Sequence, residues 1–279
     1  MRRLLLCPAA VLVLSLSAAA PSASAAPFDR AVVVVFENKA RDEVLGNSAA
    51  PEFNALARRG ATLSGYRGIT HPSLPNYIAL ISGSTQGIHS DCGDCPVSGR
   101  NLADTLEAKG RTWKTYAEDL PSTGYTGERA GGYTKHHNPF LYFNDVLSSR
   151  ARLSRIVPLR ALSSDLADHS LPDFSLVIPN ECNDMHNCSV RVGDNWLRQF
   201  IRPVLASPQM RRGVVFVVFD ENHGGVGVPA IAVGPAVRRG ARFGRAVDHF
   251  GLLRTIEDAW GLSRLGLSSR ARAITGIWR

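Results

Sequence analysis

The chain has 279 residues, a formal charge of +8, 44% hydrophobic and 20% charged residues. It contains no internal repeat and no low-complexity linker, which excludes solenoid and tethered-array architectures. Its arginines are scattered without interleaved aromatics, a pattern that excludes a dedicated nucleic-acid surface and suits anionic substrates or surfaces in general.

In chain order, Arg2 and Arg3 open a leader, Leu4 to Leu16 is apolar, and Ala-Ser-Ala-Ala ends at Ala26. This order is expected of a secretory signal peptide over residues 1–26, leaving 27–279 as a single exported domain and releasing the product outside the cell. The apolar run is short for a membrane anchor, and no later segment is long and apolar enough to span a bilayer. Removing the leader takes Cys7 with it and leaves Cys92, Cys95, Cys182 and Cys188. An even set in an oxidising compartment reads as disulfides, with Cys92–Cys95 and Cys182–Cys188 the simplest of three connectivities. A four-thiolate zinc site is the rival that export disfavours.

Ala31 to Phe36 is a β-branched apolar run, expected to be a buried central strand. Pro51 to Arg59 predicts a helix stopped by Gly60, and Ala61 to Tyr66 a strand. A helical apolar run, Tyr77 to Ile81, stops at Gly83. Asn101 to Lys109 predicts a helix; Thr112 to Ala117, Phe174 to Ile178, Val214 to Phe219 and Pro229 to Val233 predict strands. Asn195 to Ala206 and Asp248 to Trp260 predict helices, the second capped by Asp248. The alternation implies an α/β fold: a mostly parallel central sheet flanked by helices on both faces, with ligands bound beyond the carboxyl ends of the strands.

Two of the apolar strands run into polar pairs at that end, Glu37-Asn38 and Asp220-Glu221. Such oxygen ligands at strand ends suit a hard divalent cation. Ser73 lies in His71-Pro-Ser-Leu-Pro-Asn-Tyr77, just before the helical run, where the free N–H groups and dipole favour an alkoxide or a bound phosphate. Asn76, one turn on, is placed to donate to a phosphoryl oxygen. His136 and His137 lie in a polar loop over 131–139, and His186 lies between Cys182 and Cys188. Such histidines donate to phosphate oxygens or protonate a leaving group, and as charged donors they would favour an acidic pH optimum. His89, His169 and His223 read as surface residues. The absence of a P-loop, a Gly-x-Gly-x-x-Gly and a Gly-x-Ser-x-Gly counts against nucleotide-fold and esterase functions.

These stretches, with Val32 to Asn38, Thr70 to Tyr77, Asn183 to Asn187, Val217 to Asn222 and Asp248 to Glu257, resemble a bacterial phosphoesterase family. That family contains secreted acid phosphatases and phosphatidylcholine-type phospholipases C and is related in fold to the alkaline phosphatases. The chain is most similar to the short acid phosphatase branch. The resemblance implies Ser73 as nucleophile, Glu37, Asn38, Asp220 and Glu221 as ligands of one divalent metal ion, calcium or a transition metal, and Asn76, His136, His137 and His186 as phosphate contacts. The expected function is a metal-dependent phosphomonoesterase acting through phosphoserine, phosphoinositides being among the implied substrates, with His186 protonating the leaving alcohol. The alternatives are a phospholipase C-type phosphodiesterase and, in another class, a secreted binding protein without turnover. The resemblance assigns no role to His71 or His249.

Overall fold

The computed structural model describes residues 26–222 and 227–279. Residues 1–25 of the expected 1–26 leader, and His223, lie outside the described residues. Ten strands are seen among those described: β1 Arg30–Phe36, β2 Ala61–Leu63, β3 Trp113–Ala117, β4 Arg129–Ala130, β5 Tyr133–Thr134, β6 Ile156–Pro158, β7 Phe174–Ile178, β8 Gly213–Phe219, β9 Ala230–Val233 and β10 Ala241–Phe243. Eight of them form one sheet in the order β10-β2-β9-β8-β1-β7-β3-β6, while β4 and β5 make a separate hairpin. β9 pairs antiparallel with both β8 and β2, and the other pairings in the large sheet are parallel.

Strands β1 and β8 are continuous apolar runs because both of their faces are covered. Phe36 and Phe219 stack on one face and meet Phe53 of helix Pro51–Arg59 and Trp196 of helix Val190–Ala206. Phe216, three residues before Phe219, faces the other way by strand alternation. There it packs edge-on against Phe28, which contacts Trp260 of helix His249–Trp260. Helices therefore cover both faces, as the alternation of strands and helices predicts.

Register places the site. β1 and β8 pair from Arg30↔Gly213 to Phe36↔Phe219, so the residues that follow, Glu37 and Asp220, emerge side by side. β7 flanks β1 on the other edge, and the loop after it returns to Glu37, whose N–H donates to the Asp184 carbonyl at 2.9 Å.

Some boundaries differ from expectation for local reasons. The strand from Ala61 ends at Leu63, where Tyr66 N–H bonds back to the Leu63 carbonyl in a turn. The helix predicted from Asn195 starts at Val190. Gly193 and Asp194 lie inside it, and Asp194 Oδ1 accepts the backbone N–H groups of Glu52 and Phe53 at 2.8 and 3.0 Å, capping the neighbouring helix. The edge strands β6 and β10 are three residues each, too short to leave a periodic signal. Cys92–Cys95 and Cys182–Cys188 are both bonded, with Cα separations of 6.0 and 4.7 Å.

Candidate active site

Ser73 is the first residue of helix Ser73–Ser82, which is buried along its whole length and ends at Gly83 in the left-handed region, φ 70°. The serine is buried, and its hydroxyl donates to Glu37 Oε2 at 2.9 Å. The other carboxylate oxygen of Glu37 accepts the Tyr77 hydroxyl at 2.5 Å and lies 3.4 Å from His137 Nε2. The His137 ring stacks on Tyr77, with 5.2 Å between centroids, and its Nδ1 lies 3.3 Å from Asp184 Oδ2. Asn38 is held at φ 56° by two bonds: its N–H donates to Asp220 Oδ1 at 3.1 Å and its Nδ2 to Glu37 Oε2 at 3.2 Å. The structure thus brings Ser73, Glu37, Asn38 and Asp220 together, joined by Tyr77, His137 and Asp184. Asp184 carried no chemical role in the sequence. Its position two residues before His186, in a loop closed by a disulfide, was the available signal.

Three carboxylates crowd a buried volume with little positive charge. Burial, then the neighbouring charges of Asp220 and Asp184, hold the Glu37 carboxyl well above the usual carboxylate range. Burial likewise pushes Asp184 up to about 8. Asn38 Oδ1, Asp184 Oδ2, Asp220 Oδ2 and both ring nitrogens of His137 are buried without a hydrogen-bond partner. Unpaired buried polar atoms are costly, and a divalent cation among them would satisfy several at once. Glu37, His137 and Asp184 each offer a ligand atom within 4.8 Å of the others, and Asn38 and Asp220 add oxygen donors on the Ser73 side. The mix of carboxylate, amide and imidazole fits a cation and admits either a hard or a transition metal.

Five expected site residues differ from the simple expectation in placement or in charge. Glu221 takes partners other than those of Asp220, beyond the end of β8. Its Oε2 lies 2.8 Å from His71 Nδ1 and 3.4 Å from Asn76 Nδ2. Asn76 spends its amide on the preceding turn: Oδ1 accepts from Ile69 and Thr70 N–H, and Nδ2 donates to the Thr70 and Pro72 carbonyls at 2.7 and 3.1 Å. It fixes the approach to Ser73. His136 and His137 are not charged donors, because burial pushes them down to about 3 and about 4. Each acts as a neutral imidazole with one N–H to give. His186 is exposed, its ring 6.1 Å from His137 and its Nδ1 2.8 Å from Asn187 Oδ1. The N–H of Leu74 at the helix start donates to Asp91 Oδ1 at 2.8 Å, so the helix N-terminus is partly capped from outside.

A profile described as the Phosphoesterase family matches residues 45–263. The chain belongs to the phosphoesterase family. It is accordingly a hydrolase of phosphoric esters. Among curated phosphoesterases, the phosphatidylinositol-3-phosphatase of Mycobacterium tuberculosis is 36% identical over 263 residues, covering 92% of this chain and 85% of the relative. The phosphate-repressible acid phosphatase of Penicillium chrysogenum is 32% identical over 258 residues, covering 86% of this chain and 60% of the relative. This chain thus spans about three fifths of that fungal protein's length. Solved structures share the fold at low identity. A protein in the alkaline phosphatase superfamily from Vibrio parahaemolyticus aligns with a TM-score of 0.60 at 12% identity, over 86% of this chain and 68% of that one. Among the described residues no helix is long and apolar enough to cross a membrane.

Proposed function

We propose that this phosphoesterase is a secreted, metal-dependent acid phosphatase that hydrolyses phosphate monoesters through a phosphoserine intermediate on Ser73. The observation that carries the proposal is the bond from Ser73 Oγ to Glu37 Oε2 at 2.9 Å, at the first turn of a buried helix and beside buried carboxylates that lack counter-charge. Two disulfides suit export to an oxidising compartment.

Glu37, Asn38 and Asp220, with Asp184 and His137 on the far side of Glu37, would hold the cation. A cation there would lower the pKa of the Ser73 hydroxyl and offset the phosphoryl charge. The chain's own residues do the rest. Glu37 takes the Ser73 hydrogen bond and so orients an oxygen lone pair for in-line attack, while Tyr77 and His137 fix the carboxylate from behind. The Ser73 Oγ–P bond forms as the bond from phosphorus to the alcohol oxygen breaks, and the hydroxyl proton passes along its hydrogen bond to Glu37, which returns it when Ser73 is released. His186, exposed at the rim, gives the leaving alcohol its proton. Water then attacks the phosphoserine and releases inorganic phosphate and Ser73. Asn76 keeps the 69–72 turn against the helix start, and a neutral His136 N–H is a phosphate donor.

Release of inorganic phosphate from an aryl phosphate monoester tests the proposal. Faster cleavage of an aryl diester or of phosphatidylcholine would move the chain to the phospholipase C type. No turnover by folded, metal-loaded protein would leave a binding protein.

A further inference from the structure

Lys39 follows Asn38 directly and is half-buried just past the end of β1. Its ammonium donates to the Met185 carbonyl at 3.0 Å and lies 3.5 Å from the Asn38 carbonyl. Met185 stands between Asp184 and His186, so the ammonium grips the main chain of the disulfide-closed loop near its centre. The N–H of Glu37 bonds the preceding carbonyl, that of Asp184, at 2.9 Å. Two successive carbonyls of the loop are thus docked on the end of β1, and Lys39 supplies the charged donor of the two.

What Lys39 holds is the peptide between Met185 and His186. That peptide is trans and planar, so its C=O and N–H point in opposite directions. The carbonyl takes the Lys39 ammonium, and the N–H, which belongs to His186, donates to Asp184 Oδ1 at 2.7 Å. A cation on the carbonyl polarises the amide and strengthens the bond that its N–H makes to a carboxylate. With Oδ1 so engaged, Asp184 Oδ2 is left facing His137, 3.3 Å from Nδ1, with no hydrogen bond of its own. His137 and Glu37 are the groups that, with Asp184, could hold a cation.

The orientation of this peptide is imposed by its surroundings. Met185 has φ 78°, a left-handed conformation that costs a non-glycine residue energy and persists only where packing enforces it. Its side chain is fully buried against Gly193 of helix Val190–Ala206, where an added Cβ would come within 2.6 Å of Met185 Cγ and Cε. A glycine inside a helix is destabilising relative to alanine, and here it makes room for the methionine. The buried side chain and the Lys39 bond therefore fix Met185 from two directions.

We propose that Lys39 is a positioning residue for the metal site: through the Met185–His186 peptide it sets which oxygen of Asp184 faces the cation. The assignment rests on the cation site of the function proposed above and adds how one of its acids is aimed.

The experiment is calorimetric titration of the chelator-stripped full chain with calcium and, in parallel, with zinc. The proteins are the wild type, Lys39→Met, Lys39→Arg, Asp184→Asn and the double variant Lys39→Met/Asp184→Asn. Lys39 is half-buried and Met matches its length, so Lys39→Met retains the fold; thermal melting in chelator checks every variant without metal. Lys39→Met is expected to bind metal about 10-fold more weakly, as loss of a group that orients a ligand does. Lys39→Arg, which keeps a cationic donor, is expected to recover most of that loss. In the Asp184→Asn background the same Lys39→Met change is expected to alter affinity by less than about two-fold, because the anionic oxygen that Lys39 aims is gone. A lysine that merely docked the loop would lower affinity equally in both backgrounds, and that result overturns the proposal. Wild-type affinity in Lys39→Met also overturns it. A raised KM for an aryl phosphate with metal affinity intact overturns it as well, and makes Lys39 a substrate contact. Failure of the wild type to bind either metal instead overturns the cation site on which the proposal rests.

Discussion

His249 holds Asp220 by its main chain: His249 Nε2 lies 2.7 Å from the Asp220 carbonyl oxygen. A carbonyl only accepts, so Nε2 carries the hydrogen, and Nδ1 accepts from the Tyr66 hydroxyl at 2.9 Å. The ring is buried, which favours its neutral form and this single tautomer. Asp220 N–H is meanwhile bonded to the Phe36 carbonyl at 3.0 Å, so the acid is pinned from both sides. His249→Ala is expected to lower metal affinity about 10- to 100-fold, as loss of a group that orients a ligand does. It is also expected to cost about 1–3 kcal/mol of stability through the buried groups left unpaired. His249→Gln, which keeps an N–H donor, should recover part of the affinity. Metal titration by calorimetry measures this, and wild-type affinity in His249→Ala would exclude a positioning role.

Removing the Ser73 hydroxyl takes away one buried hydrogen bond and, on the proposed mechanism, the nucleophile. Ser73→Ala is expected to retain its fold and metal while losing several orders of magnitude in kcat. No phosphoenzyme should accumulate when the variant is quenched in acid with labelled substrate. Near-normal turnover by the folded variant would remove Ser73 from the chemistry.

Metal binding and pH should be linked through the raised carboxyls. Glu37 lies well above its ordinary value and Asp184 near about 8 in the metal-free protein, both chiefly through burial. The metal-free native state then binds more protons than the unfolded chain between the ordinary carboxylate range and about pH 8. Its stability falls as pH rises across that window. A cation replaces those protons, so the gain in Tm on adding metal is expected to grow from pH 5 to pH 8. Melting curves in chelator and in divalent cation check it; an increment constant with pH would show that these acids do not hold the metal.

The proton donor is separable by leaving group. An alcohol that leaves poorly needs a proton in the transition state, whereas a nitrophenolate does not. His186→Ala is expected to slow an alkyl phosphate by about 100-fold and a nitrophenyl phosphate much less. Equal losses on both esters would assign His186 to phosphate binding instead.

The Cys182–Cys188 bridge closes the loop that carries Asp184 and His186. A Cys182→Ser/Cys188→Ser variant is expected to lose about 2–3 kcal/mol of stability and part of its metal affinity together. Chemical denaturation and metal titration on the same sample measure both. A loss of stability with metal affinity intact would separate the bridge from the site.

The sequence by itself determined the elements whose physics is local. Val32 to Val35 and Val214 to Val218 declare strands buried on both faces because such strands need no polar side. Pro72 and Pro75 around Ser73, and Gly83 after the apolar run, mark a helix start and stop. Strand ends followed by Glu37-Asn38 and Asp220-Glu221 placed the candidate ligands at the carboxyl edge of the sheet. Only the tertiary structure decided which of them meet. Asn38 and Asp220 touch across 182 residues because β1 and β8 pair in register, and no periodicity within either strand encodes that partner. The return of the loop after β7 added Asp184, and the sense of the chain after Phe219 turned Glu221 toward His71. The charge state of His136 and His137 was equally out of reach, since it follows from desolvation by atoms of many distant segments. Residue type states which proton a side chain has to give; the packing around it sets whether that proton is there.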